Sequence, residues 1–139
     1  MSITLSGDLQ GAIYGALTGD AALVALVGVE IYDAPLPSGG ALPLGEHVTL
    51  GEEMVKPFGS ATSSGGVHDF DIVVHSTANG FAAAKVVASA VSDVLVDANL
   101  NISGGHLVSL RFLKAKAKRG VAPELRRIEM RFRAVVEDI

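Results

Sequence analysis

The sequence predicts an α+β domain in which an antiparallel sheet of roughly four strands carries helices packed on one face. Two segments, residues 67–76 and 125–136, alternate apolar and polar side chains, which is typical of strands that bury one face. Residues 79–96 instead repeat apolar side chains at the helical period. Because antiparallel sheets can keep one face in water, the alternation favours an antiparallel sheet over a doubly wound parallel one.

Two short helices are predicted near the N-terminus. The first has an apolar stripe within residues 9–17, and Ser6 or Asp8 is expected to cap its start. The second is expected to begin after a cap at Asp20 and to end at Gly28, because glycine readily adopts the backbone conformation that terminates helices.

The remaining predicted elements are strands and one long helix. Residues 30–33 and 47–52 have the composition of short strands, and the proline- and glycine-rich stretch between them cannot form a regular helix or a central strand. Asn79 is expected to cap the helix that follows residues 67–76. A long strand over residues 106–118 then precedes the last strand of the chain.

Residues 53–66 are predicted to be a mobile surface loop, because they include the run GSATSSGG and few apolar side chains. Such a segment can become ordered on a binding partner, so it is a candidate partner-binding loop. Its candidate contact residues are Glu53, Lys56, Phe58, Ser60 and Ser63.

Length and composition indicate one globular domain over residues 1–139, with 49% apolar residues. The net charge of −4 and the pI near 5.5 argue against a dedicated nucleic-acid-binding domain, which is usually basic. The absence of cysteine excludes disulfides and thiolate metal sites. Neither a signal peptide nor an apolar run long enough for a membrane span is recognised, so we expect synthesis in the cytoplasm and no membrane partner.

No catalytic, metal or cofactor site is predicted. The histidines lack the spacing of a zinc site, because His68 and His75 are seven residues apart on a strand and face opposite sides. Asp69 and Asp71 share one face of that strand at about 7 Å, but no pocket motif accompanies them. Phosphate-binding and nucleophile-elbow motifs are also missing, so the chain is not expected to be an enzyme.

The strongest electrostatic feature is a group of cations on the last two predicted strands. If these strands pair as a hairpin, most of the chain's 11 cations gather in one region. Three interpretations remain: a solvated face with lysines that protect a sheet edge, a subunit interface that meets acidic groups of a neighbour, or a contact with DNA phosphates. The candidate interface residues are Lys114, Lys116, Lys118, Arg127, Arg131 and Arg133, with Asp69 and Asp71 as acidic partners.

The strand over residues 106–118 changes from apolar to cationic midway along its length. Val108, Leu110 and Phe112 share the parity of the three lysines that follow them. Either a β-bulge switches the face, or the strand extends past the core of its own subunit. A strand that overruns its core is well suited to pair with a neighbouring molecule.

The order of these segments and their amino-acid sequences resemble those of one known family. They are most specific in LTGDAALVALVGVEIYDAPLP with the following HVTLGE, in HDFDIVVHS, and in LVSLRFLKAKAKRGVAPELRRIEMRFRAVVED. Together they cover nearly the whole chain and resemble the tail-terminator (tail-completion) proteins of long-tailed phages and gene transfer agents. One departure is the absence of tryptophan, whereas family members often carry a large aromatic residue near the central strands.

The resemblance implies a structural virion protein that uses no cofactor. Members of the family form a six-fold ring that caps the head-proximal end of the tail tube, stops polymerisation of the tube subunit and presents a surface to the neck (stopper) protein. DNA passes through the central channel of such a ring without sequence recognition. The basic strands and the acidic strand face are then the two candidate halves of a contact between subunits of a ring.

Two classes of alternative remain open. The chain could be another ring component of the same particle, such as the stopper or a tube subunit, and a tube subunit would polymerise into long tubes. It could instead be a small-ligand-binding α+β domain, which would need a pocket with convergent polar groups between the sheet and the helices.

Overall fold

A single sheet runs through the molecule, and three helices pack on one of its faces. The computed structural model describes residues 3, 5–33, 45–59, 64–78, 80–119 and 125–138. In chain order the elements are α1 (Ser6–Thr18), α2 (Ala21–Val27), β1 (Ile31–Tyr32), β2 (Glu46–Gly59), β3 (Ser64–Ser76), α3 (Ala82–Leu95), β4 (Gly105–Arg119) and β5 (Arg126–Asp138).

The sheet has the strand order β1-β2-β3-β5-β4. The four long strands are antiparallel to their neighbours, which confirms the predicted fold class. The short strand β1 adds a fifth member and pairs in parallel with β2, where Ile31 lies opposite Val48. The sheet is therefore mixed, because two extra residues join its edge in the parallel direction.

The core lies between the helices and the apolar face of the sheet, which we call the helix side. Leu9, Ile13 and Leu17 form the buried stripe of α1, as the helical period predicts. On the sheet, Ile72 and Phe132 are completely buried, and each side chain of this kind stabilises the fold by about 1.5–3 kcal/mol. Helix α3 contributes Ala84, Val87, Val91 and Leu95 to the same core.

N-terminal capping agrees with the sequence for one of the two helices that can be compared. The Asp20 carboxylate accepts a hydrogen bond from the backbone N–H of Leu23 at 2.9 Å, which confirms the cap of α2. The predicted cap of α1 by Ser6 or Asp8 is wrong, because Leu5 occupies the N-cap position and provides no side-chain bond. Ser6 instead lies inside the first turn, where its hydroxyl donates to Glu53.

Helix α3 begins later than the sequence predicts. Phe81 occupies its N-cap position, and no side chain caps the first turn. Asn79, the predicted cap, lies outside the described residues.

The prediction of a loop over residues 53–66 is wrong for most of that segment. Residues 53–59 continue β2 and pair with residues 64–70 of β3, so both belong to one long hairpin. Sequence alternation misses this extension because the register shifts between Leu50 and Glu53, which breaks the period of two. Residues 60–63, which include Ser60 and Ser63, lie outside the described part of the chain.

Two register shifts in β4 explain its change from apolar to cationic. One lies between Leu107 and Ser109, and the other lies between Phe112 and Lys114. After the second shift Lys114 lies opposite Arg131, so the lysines occupy the face away from the helices. The bulge interpretation is therefore confirmed.

The second half of β4 also extends beyond the cover of the helices. Ala115 and Ala117 point to the helix side but are exposed, and Phe112 is 45% exposed. Strand β4 is therefore an edge strand whose second half is incompletely covered by the helices.

Among the described residues, no single helix has the length and apolar composition needed to cross a membrane. Helices α1 and α2 reach that length and composition only when counted together, across a bend of 75°.

Candidate subunit interface

The sheet face opposite the helices, here called the polar face, collects most of the predicted interface residues. The antiparallel register of β3, β5 and β4 places them in adjacent rows, with Asp71 beside Arg131 and Arg131 beside Lys114. The members of the polar face on these three strands are Asp69, Asp71 and His75 of β3, Arg127, Glu129, Arg131 and Arg133 of β5, and Arg111, Lys114, Lys116 and Lys118 of β4.

Two bidentate ion pairs join β3 to β5 on the polar face. Arg131 donates from Nε to Asp71 at 2.8 Å and from Nη2 at 3.2 Å. Arg133 donates in the same way to Asp69, at 2.7 and 2.9 Å. The hydrogen bond from Arg133 lowers the pKa of Asp69, and the bonds to Asp71 and Asp69 raise the pKa values of Arg131 and Arg133.

These pairs satisfy the two aspartates inside one subunit. Their side chains are 18% exposed at Asp71 and 13% exposed at Asp69, so little carboxylate surface remains for a neighbour. The sequence indicates which face of its strand each aspartate and arginine occupies, but it does not show which strands are neighbours in the sheet. The structure supplies that order by setting β3 directly beside β5.

A third cluster of charges involves Glu129. Its carboxylate lies 3.0 Å from the Nζ of Lys118 and 3.0 Å from the Nε of Arg127. The hydrogen bond from Lys118 lowers the pKa of Glu129. By contrast, Lys114 and Lys116 have no ion-pair partner among the described residues, so both are available to a neighbouring molecule.

The unpaired lysines line an open cleft of about 390 Å³. Its other walls include the charged side chains of Asp71, Glu129 and Arg131, together with Ala115 and Met130. A second cleft, of about 320 Å³, lies on the helix side between α3 and the edge of the sheet, where Phe112 and Met130 contribute apolar walls. Both clefts lie along β4, which makes this edge the most accessible part of the candidate interface.

A stacked histidine pair was not predicted from the sequence. The rings of His47 and His75 lie 4.4 Å apart and are nearly parallel, and Thr49 Oγ1 is 3.0 Å from Nε2 of His75. Burial lowers the pKa of His75 to about 4, with further lowering by His47 and Arg127, and burial also lowers the pKa of His47. A correct alignment of β2 with β3 would have indicated this stack, because it places His47 directly opposite His75.

Glu53, which the sequence assigns to a partner-binding loop, is held within the subunit. Its carboxylate accepts a hydrogen bond from the Ser6 hydroxyl and lies 3.1 Å from Nδ1 of the fully buried His68. Burial raises the pKa of Glu53, but the bonds from His68 and Ser6 outweigh that effect, so the net pKa is lowered. The Glu53 carboxylate is therefore shared between Ser6 and His68.

Of the other loop candidates, Lys56 is exposed on β2, and Phe58 lies near the end of the same strand. No group of three or more His, Cys, Asp or Glu side chains is arranged to hold a metal ion within the described ranges.

Comparisons with known proteins give matches that cover most of the chain. A family model described as tail completion protein gp17 matches residues 11–137. A chain from the virion of the native gene transfer agent (GTA) particle is 48% identical, with a TM-score of 0.87, over 98% of this chain and 99% of that chain. No functionally curated protein matches the sequence.

Proposed function

Because this chain belongs to the tail completion protein gp17 family, we propose that it is a structural protein of a virion or gene transfer agent particle. The observation that carries the proposal is the match to a chain of the GTA virion, which is 48% identical and includes 98% of this chain. The match also covers 99% of that chain. That chain therefore has no additional domain that could account for its place in the particle.

The finer role that we propose is that of a tail terminator. Six copies form a ring that caps the head-proximal end of the tail tube, stops polymerisation of the tube subunit and joins the tail to the neck (stopper) protein. DNA passes through the channel of this ring without sequence recognition. The arrangement of the polar face supports a role of this kind, because its charges form rows that reach a sheet edge and the cleft that they line is open.

The proposed role is structural and needs no reaction. Ser6 and His68 each bond to Glu53 within the subunit, and the cleft beside Lys114 is open and charged. The candidate interface residues on β4 and β5 are therefore proposed to bind neighbouring subunits.

The β2–β3 hairpin is proposed to contact the tube or the neck protein. Lys56 is exposed near its end, and residues 58, 60 and 63 belong to the same segment of sequence. Glu53 is less suited to this contact because its carboxylate is already bonded inside the subunit.

Negative-stain electron microscopy of the purified protein over a range of concentrations tests this role. We expect six-fold rings with a central hole and no long tubes, because a terminator must not stack on itself. Long tubes would identify a tube subunit and contradict the terminator role. Particles that stay monomeric even when tail tubes are present would contradict ring formation itself.

A further inference from the structure

We propose that the free edge of β4 in one subunit pairs with the free edge of β2 in the next, so that the sheets of neighbouring subunits join. This inference rests on the proposed ring and identifies the backbone surfaces that would close it. The binding partner of the β4 edge is a second copy of this chain.

The directions of the strands permit this joint. Strands β2, β3, β5 and β4 are each antiparallel to the preceding strand, so β4 runs opposite to β2. Rotation about an axis that lies roughly along the strands preserves strand direction. The β4 strand of one copy would therefore meet the β2 strand of the next as an antiparallel pair, which is the geometry already used by the four long strands.

Both edges have backbone groups available for pairing, although Pro57 of β2 has no N–H to donate. On β2, Glu30 accepts the N–H of Val48 at 2.9 Å and β1 covers only Val48 and Thr49, so residues 50–59 have no strand on that side within the described chain. On β4, the carbonyl of Leu110 accepts from Asp97 at 3.0 Å, and residues 111–119 have no such backbone partner among the described residues. A long edge of this kind is a template for another strand.

The covered parts of the two edges lie at opposite ends of the sheet. The register places Leu50 of β2, Ile72 of β3, Met130 of β5 and Ala115 of β4 side by side across the sheet. The free part of β4 continues beyond this level to Arg119. Bringing the two free stretches together requires a stagger of about four residues, or roughly 14 Å. A stagger between strands is what the closure of a sheet around an axis demands.

The charges of the two edges are complementary. Strand β4 carries Arg111, Lys114, Lys116, Lys118 and Arg119 and no acidic residue. Within the free stretch of β2, Glu52 has no ion-pair partner among the described residues, Glu53 is bonded inside the subunit, and Lys56 is the single cation. Glu52 therefore offers the lysines of β4 an opposite charge.

One row of the polar face shows this polarity clearly. It runs from the β2 bulge, which includes Glu52, through Asp71 and Arg131 to Lys114 on β4. The central aspartate and arginine neutralise each other, which leaves an acid at one end of the row and a base at the other. Rows of this type are complementary when copies are placed head to tail, which is the heterologous contact that closes into rings.

A charge-swap experiment tests the joint. One variant carries Lys114→Glu and Lys116→Glu, and the other carries Glu52→Lys. In each variant alone, neighbouring edges repel, and we expect the ring fraction at a fixed concentration to fall by about tenfold or more. Mixed in equal amounts, the variants should form rings again, because every edge then finds its opposite in an alternating ring.

The test does not depend on one register. Residues two apart on a strand face are separated by about 7 Å, which is less than the screening length of about 8–10 Å in dilute salt. The matched control is Lys85→Glu on α3, which changes one lysine of the helix-side cleft away from the polar face. It should assemble alone, and adding Glu52→Lys to it should not raise the ring fraction above that of Lys85→Glu alone.

Hydrogen exchange separates strand pairing from simple charge contact. On ring formation, the amides that face the free edge within residues 50–59 and 111–119 should exchange at least about tenfold more slowly, because new backbone hydrogen bonds protect them. Wild-type rings that form without this protection, or variants that the mixture fails to rescue, would overturn the joint and leave the terminator role intact. Wild-type subunits that form no rings, alone or on tail tubes, would contradict both proposals.

Discussion

Replacing Phe132 with alanine is expected to lower the free energy of unfolding by about 3–5 kcal/mol. The Phe132 ring is completely buried at the centre of β5. It stacks on Phe70 of β3 at 5.8 Å and meets Phe112 of β4 edge-on at 5.7 Å, so it ties three strands together. Because the whole domain is expected to be stable by only about 5–15 kcal/mol, this loss is a large part of the total.

Urea denaturation followed by far-ultraviolet circular dichroism measures this effect, since the chain has no tryptophan to report by fluorescence. The matched control is Phe112→Ala, which removes the same atoms from a ring that is 45% exposed and should cost about 1–2 kcal/mol. Equal losses in the two variants would contradict the assignment of Phe132 as the centre of the core.

Reversing the charge of Arg131 is expected to destabilise the subunit by about 1–3 kcal/mol, a value discounted because its side chain is 35% exposed. The change Arg131→Glu removes both hydrogen bonds to Asp71 and sets a second carboxylate beside it. Lys116→Glu should cost less than about 1 kcal/mol, because Lys116 has no ion-pair partner among the described residues and the new carboxylate would lie opposite Glu129. It should instead weaken assembly.

The double swap Asp71→Arg with Arg131→Asp is the control for Arg131. It restores opposite charges across the same two strands and should recover most of the lost stability. Denaturation midpoints measure folding, and light scattering at matched concentrations measures assembly. If Lys116→Glu unfolded the subunit while Arg131→Glu did not, the division between internal and external charges would be wrong.

The sequence predicted those features that depend on local periodicity. The alternation around Ile72 and Met130, the helical stripe of α3 and the cap at Asp20 each depend on residues within a few positions of one another. Segments of the sequence also resemble those of tail-completion proteins, and the family match over residues 11–137 confirmed this resemblance.

Features that depend on pairing between distant strands could not be predicted. The register shift after Leu50 hid the second half of β2, so a strand was interpreted as a loop. The neighbour relation of β3 and β5 decides that Asp71 bonds Arg131 inside the subunit, and no local pattern encodes it. The bulge before Lys114 was one of two alternatives until the pairing of β4 with β5 separated them.

The proposed division of the molecule follows from these contacts. The helix side supplies the core, the paired charges around Asp69 and Asp71 hold β3 to β5, and the edges of β2 and β4 remain for other copies. A ring built on edges can stop growing once it closes, because closure leaves neither edge free in the plane of the ring.

The most direct test of the terminator role is to add the purified protein to growing tubes of the tail-tube subunit and measure tube length by electron microscopy. We expect growth to stop, with a single ring of this protein visible at one end of each tube. Tubes that keep elongating in its presence, or that incorporate the protein along their whole length, would contradict the proposal.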